Sequence, residues 1–151
     1  MKMIIEQMPL TNIAFIRNVG PYGENNYKTM ERIKRFARDN NLFNEAAVIL
    51  GISRDNPEVT SPESCRYDAC LVVAQDFNVS SNDIQKGVIS GGKYAVFVID
   101  HTVEAVQRAW NEIFTYLLGN GYNIDMSREM IERYSIKMVN NHKCEICIPI
   151  L

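Results

Sequence analysis

Arg66-Tyr67-Asp68-Ala69-Cys70-Leu71 decides the fold, because it is answered by Lys143-Cys144-Glu145-Ile146-Cys147-Ile148. Each is a strand-like run with a carboxylate two residues before a cysteine, and each lies near the end of one half of the chain. Working outward from either run, the same order of elements appears: an apolar strand, an amphipathic helix and two further strands. The order predicts an α+β fold made of a duplicated β-α-β-β unit, with repeat one over about residues 10–74 and repeat two over about 91–151. Two such units make one antiparallel-type sheet with both helices on one side and a central groove near a pseudo-twofold axis. A groove suggests a ligand.

In the first half, Met3 to Met8 reads as a short strand ended by Pro9, and Asn12 to Arg17 as a second strand broken by Gly20-Pro21-Tyr22-Gly23. A helix follows over about 24–38, with Tyr27, Met30, Ile33 and Phe36-Ala37 as its apolar stripe. Lys34, Arg35 and Arg38 gather in its last turns, where cations suit the helix dipole; they read as a solvated face. Ala46 to Ser53 is an apolar strand. The two prolines of the loop after it, Pro57 and Pro62, exclude a central strand there. Arg66 to Ala74 closes the half.

Residues 75–92 connect the halves, with a short strand expected around Gly87 to Ser90. Gly91-Gly92 turns into the strand that carries Ala95, the counterpart of Ala14. The helix over about 102–118 has Val103, Val106, Trp110, Ile113-Phe114 and Leu117 in one stripe, Thr102 as its cap and Gly119-Asn120-Gly121 as its stop. Ile131 to Met138 and Lys143 to Ile150 read as the last two strands, joined through Asn140-Asn141.

With 151 residues, 46% hydrophobic and 23% charged, the chain reads as one ordinary globular domain over residues 1–151. A net charge of -2 offers no electrostatic footprint for direct nucleic-acid binding. No apolar run reaches the ~20 residues that span a membrane, and the start, soon acidic at Glu6, does not resemble a signal peptide. The expectation is a cytoplasmic protein whose four cysteines stay reduced. In a strand, Cys144 and Cys147 point to opposite faces, which argues against chelation; neither a metal nor a cofactor is expected.

Glu132 stands out among the ionisable groups. By strand alternation it shares a face with Tyr134, Ile136 and Met138, whereas Ile131, Arg133, Ser135 and Lys137 form the more polar set. A carboxylate on such a face costs stability unless it is hydrogen-bonded or paired. It fits either an anchor for a cationic ligand or an acid/base; the competing reading places it at a strand start, within reach of water. Trp110, Tyr22, Tyr67, Tyr94, Phe97 and Tyr134 fall on or beside the elements that would line the groove. Aromatic walls around one carboxylate suit a flat or cationic organic molecule, although only a subset can face it. His101 and His142 sit at element boundaries with no nucleophile marked beside them, and no phosphate-binding glycine loop or H-E-x-x-H motif is present.

The run Asp55-Asn56-Pro57-Glu58-Val59-Thr60, then Pro62-Glu63, then Cys65-Arg66-Tyr67-Asp68, resembles the D-N-P-x-x-T-P-x-x-x-x-R-x-D signature of the GyrI-like small-molecule-binding domains. Gly20-Pro21-Tyr22, Gly91 to Val96, Trp110 with Gly121-Tyr122, Ile131-Glu132-Arg133-Tyr134 (like the family's F-E-x-Y) and Ile146 to Ile150 extend the resemblance over nearly the whole chain. It implies two SHS2-type β-α-β-β repeats and maps the family's groove glutamate onto Glu132. Relatives of this kind include effector-binding domains of AraC-type and MerR-type regulators and the DNA gyrase inhibitory protein. Two departures stand out. Glu129-Met130-Ile131 replaces Pro-Cys-Phe, which makes Glu129 a rival acid, and Asp100-His101-Thr102 replaces the second repeat's Gly-Pro-Tyr.

The leading expectation is therefore a ligand-binding module. Its groove would take an amphipathic, cationic or planar organic molecule, with Glu132 as anchor and Trp110, Tyr94 and Tyr67 as apolar walls. The second is a protein partner, DNA gyrase, met through the outer surface. The third, which the resemblance implies because some members of the family have this activity, is a hydrolase of cyclopropane-bearing DNA-alkylating natural products, with Glu132 as its catalytic base.

Overall fold

The computed structural model describes residues 1–79 and 82–151. The elements run β1 (Met3–Met8), β2 (Thr11–Val19), α1 (Glu24–Asp39), β3 (Val48–Ser53), β4 (Arg66–Val72), β5 (Gln85–Ile89), β6 (Gly92–Asp100), α2 (Val103–Gly119), β7 (Ile131–Ser135), α3 (Ile136–Val139) and β8 (Lys143–Pro149). The strands form one eight-stranded sheet in the order β1-β6-β8-β7-β3-β4-β2-β5, antiparallel at every pairing.

The strand order displays the duplication. Repeat one contributes β3-β4-β2 and repeat two β7-β8-β6, and the halves meet where β3 pairs with β7. Gly51 lies opposite Ala69, between Asp68 and Cys70, while Glu132 lies opposite Ile146, between Glu145 and Cys147. The two are thus the same position of the two repeats. They are also each other's partner across the β3–β7 seam, so the pseudo-twofold passes between them. The outer strands are exchanged: β1, which precedes repeat one, pairs with β6, and β5, which precedes repeat two, pairs with β2.

Both helices pack on one face. Ile49 lies in the cluster under α1, Ile146 in the cluster under α2, and the register joins them through Tyr134 and Glu132 on that same face. Helix α1 buries Thr29, Ile33 and Ala37; α2 buries Ala109, Ile113 and Leu117. Ile33, Ile113 and Leu117 each contribute roughly 1.5–3 kcal/mol by this burial. Thr102 caps α2 by accepting from the Ala105 N–H at 3.1 Å.

The other face closes on itself. Met8 and Ile89 belong to the two outermost strands yet share one cluster with Tyr94, Val96 and Ile131, so the sheet curls. Gly91 stands where the edges approach: a Cβ there would lie 2.2 Å from the Met8 carbonyl oxygen. Two charged clusters inside this curl are paired. Asp68, fully buried, accepts from Arg17 at 2.7 and 2.8 Å and from Arg54 at 2.9 Å. Arg133 donates to Glu145 and across to Glu6 on β1.

The proline-bearing loop is tied down by its charged residues. Asp55 accepts from the Arg66 backbone N–H at 2.8 Å and from its guanidinium at 3.0 and 2.9 Å. Asn56 turns the chain by accepting from the Glu58 N–H. The D-N-P…R-x-D residues therefore brace the loop and the curl.

One expected strand is shorter. β7 stops at Ser135, because its pairing with β8 ends at Arg133 and its pairing with β3 at Ser135. Without a ladder partner the chain satisfies its own backbone, and Ile136–Val139 becomes a single helical turn, with the Asn140 N–H donating to the Ile136 carbonyl at 2.9 Å. Lys137 and Met138 thus leave the strand faces assigned to them from sequence.

Candidate functional site

A groove of about 710 Å³ opens between the N-terminal halves of α1 and α2, over the β3–β7 seam. Helix α1 lends Asn26, Tyr27, Met30 and Lys34; the start of α2 lends Thr102, Val103, Val106 and Gln107. The sheet supplies Ile49, Tyr67, Glu132 and Tyr134 as floor, and His101, Phe43 and the α3 turn close the remaining sides. The volume suits a drug-sized molecule.

Glu132 is the floor's carboxylate. Trp110, reaching down from α2, donates its indole N–H to Glu132 Oε2 at 2.7 Å. Tyr134, two residues along the same strand and so on the same face, donates its hydroxyl to Oε1 at 2.9 Å. Both donors are neutral. Among the described residues no cationic side chain pairs with Glu132; Lys34, also in the groove wall, pairs instead with Glu31 at 3.5 Å. The charge is therefore fixed in position without being cancelled, and each oxygen keeps acceptor capacity toward the groove.

Burial and the nearby Glu132 charge raise the Tyr134 hydroxyl well above the ordinary tyrosine range, so it remains a donor at neutral pH. Tyr67 is raised for the same two reasons, burial first. The Tyr67 ring occupies the space that Gly51 leaves: a Cβ on Gly51 would lie 2.5 Å from the Tyr67 hydroxyl oxygen and 3.5 Å from Glu132 Oε1. Gly51 was missed as a site residue. Its signal was a lone glycine inside an otherwise apolar strand, a mark of close approach by another group.

The other expected wall residues separate. Trp110 stands behind the carboxylate, tilted against Phe114 at 6.1 Å, and positions Glu132. Tyr94 lies inside the curl on the opposite face, its hydroxyl donating to the Glu129 carbonyl at 2.9 Å and its ring under the Arg128 guanidinium at 5.0 Å. Phe97 does face the helices, but it is fully buried under α2, edge-on to Tyr116. Tyr22 braces the loop, donating to the Arg66 carbonyl and accepting from the Asp55 N–H. Neither Trp110 nor any of these three lines the groove: strand parity turns Tyr94 away, α2 covers Phe97, and the loop tethers Tyr22.

The rival acid Glu129 also lies away from the groove, with Oε1 3.4 Å from Arg54. His101, which sequence reading left aside, is in the wall, its ring 5.5 Å from that of Tyr134. All four cysteines are free and buried. Burial pushes the Cys144 and Cys147 thiols up to about 12. Cys147 faces the curl, and among the described residues no cluster of metal-ligating side chains forms. No helix among the described residues is long and apolar enough to cross a membrane.

Comparison with known proteins places this arrangement. The model of the GyrI-like small molecule binding domain matches residues 1–151. The chain is 45% identical over 151 residues to the "SPbeta prophage-derived putative transcriptional regulator YosT" of Bacillus subtilis (strain 168), covering 99% of each. It is 32% identical over 123 residues to a DNA gyrase inhibitor of Yersinia enterocolitica, covering 79% of this chain and 76% of the relative. Among solved structures, the EcmrR C-terminal domain is similar with a TM-score of 0.75 at 15% identity, over 99% of this chain and 97% of that one. SAV2435 bound to tetraphenylphosphonium is similar at 0.59 and 16% identity, over 100% of this chain and 94% of that one. At such identities the structural likeness speaks for the fold alone.

Proposed function

Because the chain belongs to the GyrI-like small-molecule-binding domain family, we propose that it captures an amphipathic organic cation in the groove over the β3–β7 seam, with Glu132 as the electrostatic anchor. One observation carries this reading. Glu132 is a charged group held by two neutral donors, Trp110 and Tyr134, in a largely apolar and aromatic chamber. Leaving such a charge unpaired costs stability, and a ligand cation offsets that cost while its apolar body covers Tyr67, Met30 and Ile49. SAV2435, a protein of similar fold, was solved with the lipophilic cation tetraphenylphosphonium, which makes that cation a sensible first probe. Titration of tetraphenylphosphonium against Trp110 fluorescence should saturate, and Glu132→Gln should weaken the binding. Failure to saturate, or equal affinity in the variant, would sink the proposal.

A second reading draws on the relative named a DNA gyrase inhibitor: contact with gyrase through the outer surface. Such contact should be indifferent to Glu132→Gln, since this side chain lies on the groove floor. Gyrase supercoiling measured with the native and the substituted chain separates the two readings.

A further inference from the structure

The groove has a second pole, and it belongs to this chain's own sequence. His101 occupies the position where the signature Gly-Pro-Tyr of the second repeat is absent. Its ring meets the Tyr134 ring at 5.5 Å, at an interplanar angle of 61°. Lys34 of α1 lines the same wall. Burial, Lys34 and His142 together draw the His101 pKa below the ordinary histidine range, as expected where basic groups crowd one place.

Tyr134 joins the two poles. Its ring touches His101 and its hydroxyl touches Glu132, so the basic wall and the acidic floor lie about one tyrosine side chain apart. Among the described residues the Lys34 ammonium pairs with Glu31, an exposed i,i+3 partner at 3.5 Å, and such pairs are weak and readily exchanged. The His101 imidazole, neutral at pH 7, can donate a hydrogen bond as well as accept one.

Resting on the reading of Glu132 as a cation anchor, we infer that the groove is dipolar and selects a zwitterionic aromatic ligand. The ligand's positive group would sit on Glu132, and a carboxylate or similar acceptor about one aromatic ring away would sit on Lys34 and His101. A purely cationic ligand leaves the basic wall unsatisfied and meets the Lys34 charge. A zwitterion satisfies both ends and leaves the chamber neutral.

Tetramethylrhodamine and its methyl ester test this cleanly. They share one xanthylium cation and differ only in whether the carboxylate is free. Fluorescence polarisation on the full chain at pH 7.5 and low salt should show the free acid binding about threefold or more tighter than the ester, a difference that shrinks in ~0.5 M salt. Lys34→Met should erase or reverse that ratio, and His101→Gln should reduce it; circular dichroism checks that each variant is folded. If the ester binds tighter to the native chain, or the ratio survives both substitutions, the dipolar inference is overturned while the anchor role of Glu132 can stand. If neither dye binds, or Glu132→Gln weakens neither, the anchor reading fails and takes this inference with it.

Discussion

Gly51 and Glu132 are one position of the repeat seen twice, and they face each other across the seam that joins the halves. A residue beside a twofold must coexist with its own counterpart. Two glutamates there would set two carboxylates side by side, each raising the cost of ionising the other. This chain breaks the symmetry instead: one copy carries the charge, and the other gives up its side chain so that Tyr67 can lie against it.

Gly51→Ala should therefore act through Tyr67. The added Cβ would lie 2.5 Å from the Tyr67 hydroxyl oxygen but 3.4 Å from Cζ, the atom that carries it. Overpacking of this kind costs about 1–3 kcal/mol. In a Tyr67→Phe background the closest clash is gone, and the cost of Gly51→Ala should fall by at least half. Denaturant unfolding of the four proteins measures the coupling. An equal cost in both backgrounds would mean that Gly51 serves the backbone and not the tyrosine.

The two acids near the start of β7 should differ sharply. Glu132→Gln should weaken tetraphenylphosphonium about tenfold or more, because two unit charges ~5 Å apart attract by roughly 3 kcal/mol at an effective dielectric constant of about 20, while a neutral analogue such as triphenylphosphine oxide loses little. Glu129→Gln removes a group that lies outside the groove and meets Arg54, so cation affinity should hold. Calorimetric titration of both ligands decides this. A larger loss at Glu129, or equal losses for charged and neutral ligands at Glu132, would place the anchor elsewhere.

These contrasts show where sequence is informative. The repeat was legible because its signals are local: alternation, helical stripes and the two carboxylate-x-cysteine strands. Glu132 and Tyr134 were legible as a same-face pair for the same reason. Tyr94 was misplaced because a curled sheet has two buried faces, and Phe97 because α2 covers it on the groove side. An apolar strand such as Tyr94 to Ile99 then loses the alternation that would say which face is which. Tyr22 was misplaced because its role is a tether to Asp55 and Arg66, far along the chain. His101 entered the wall through the tertiary meeting of α1, β7 and the start of α2, which no local pattern encodes.

Asp68 should be among the most costly polar residues to change. It is fully buried between Arg17 and Arg54, and its charge is what lets both guanidinium groups turn inward. Asp68→Asn deprives Arg17 of its partner and leaves Arg54 with Glu129 alone, at 3.4 Å, and breaking a buried pair in this way costs about 3–5 kcal/mol. Urea unfolding should register that loss without a change in slope. A cost below about 1 kcal/mol would mean that the arginines relax outward to water.

Glu6 ties the edge strand β1 to the sheet's interior and gives that edge a pH dependence. Its carboxylate accepts from Arg133 at 2.9 and 3.0 Å, and this hydrogen-bonded contact holds its pKa below the ordinary value despite partial burial. The sign follows from linkage. The unfolded chain takes up the proton first as pH falls, so the tether's contribution is complete above the ordinary glutamate range. It is lost as pH drops through the lowered folded value. The ladders that join β8 to β6 and to β7 do not depend on the Glu6 contact, so they should hold while β1 loosens from β6. Hydrogen-exchange protection factors should therefore fall at Ile4 and Ile5 before they fall at Ile146 and Cys147 as the solution is acidified below about pH 4.5. Glu6→Gln should show reduced β1 protection at neutral pH and little further change on acidification. Simultaneous loss in β1 and β8, or an undiminished acid step in Glu6→Gln, would mean that another carboxylate controls the edge.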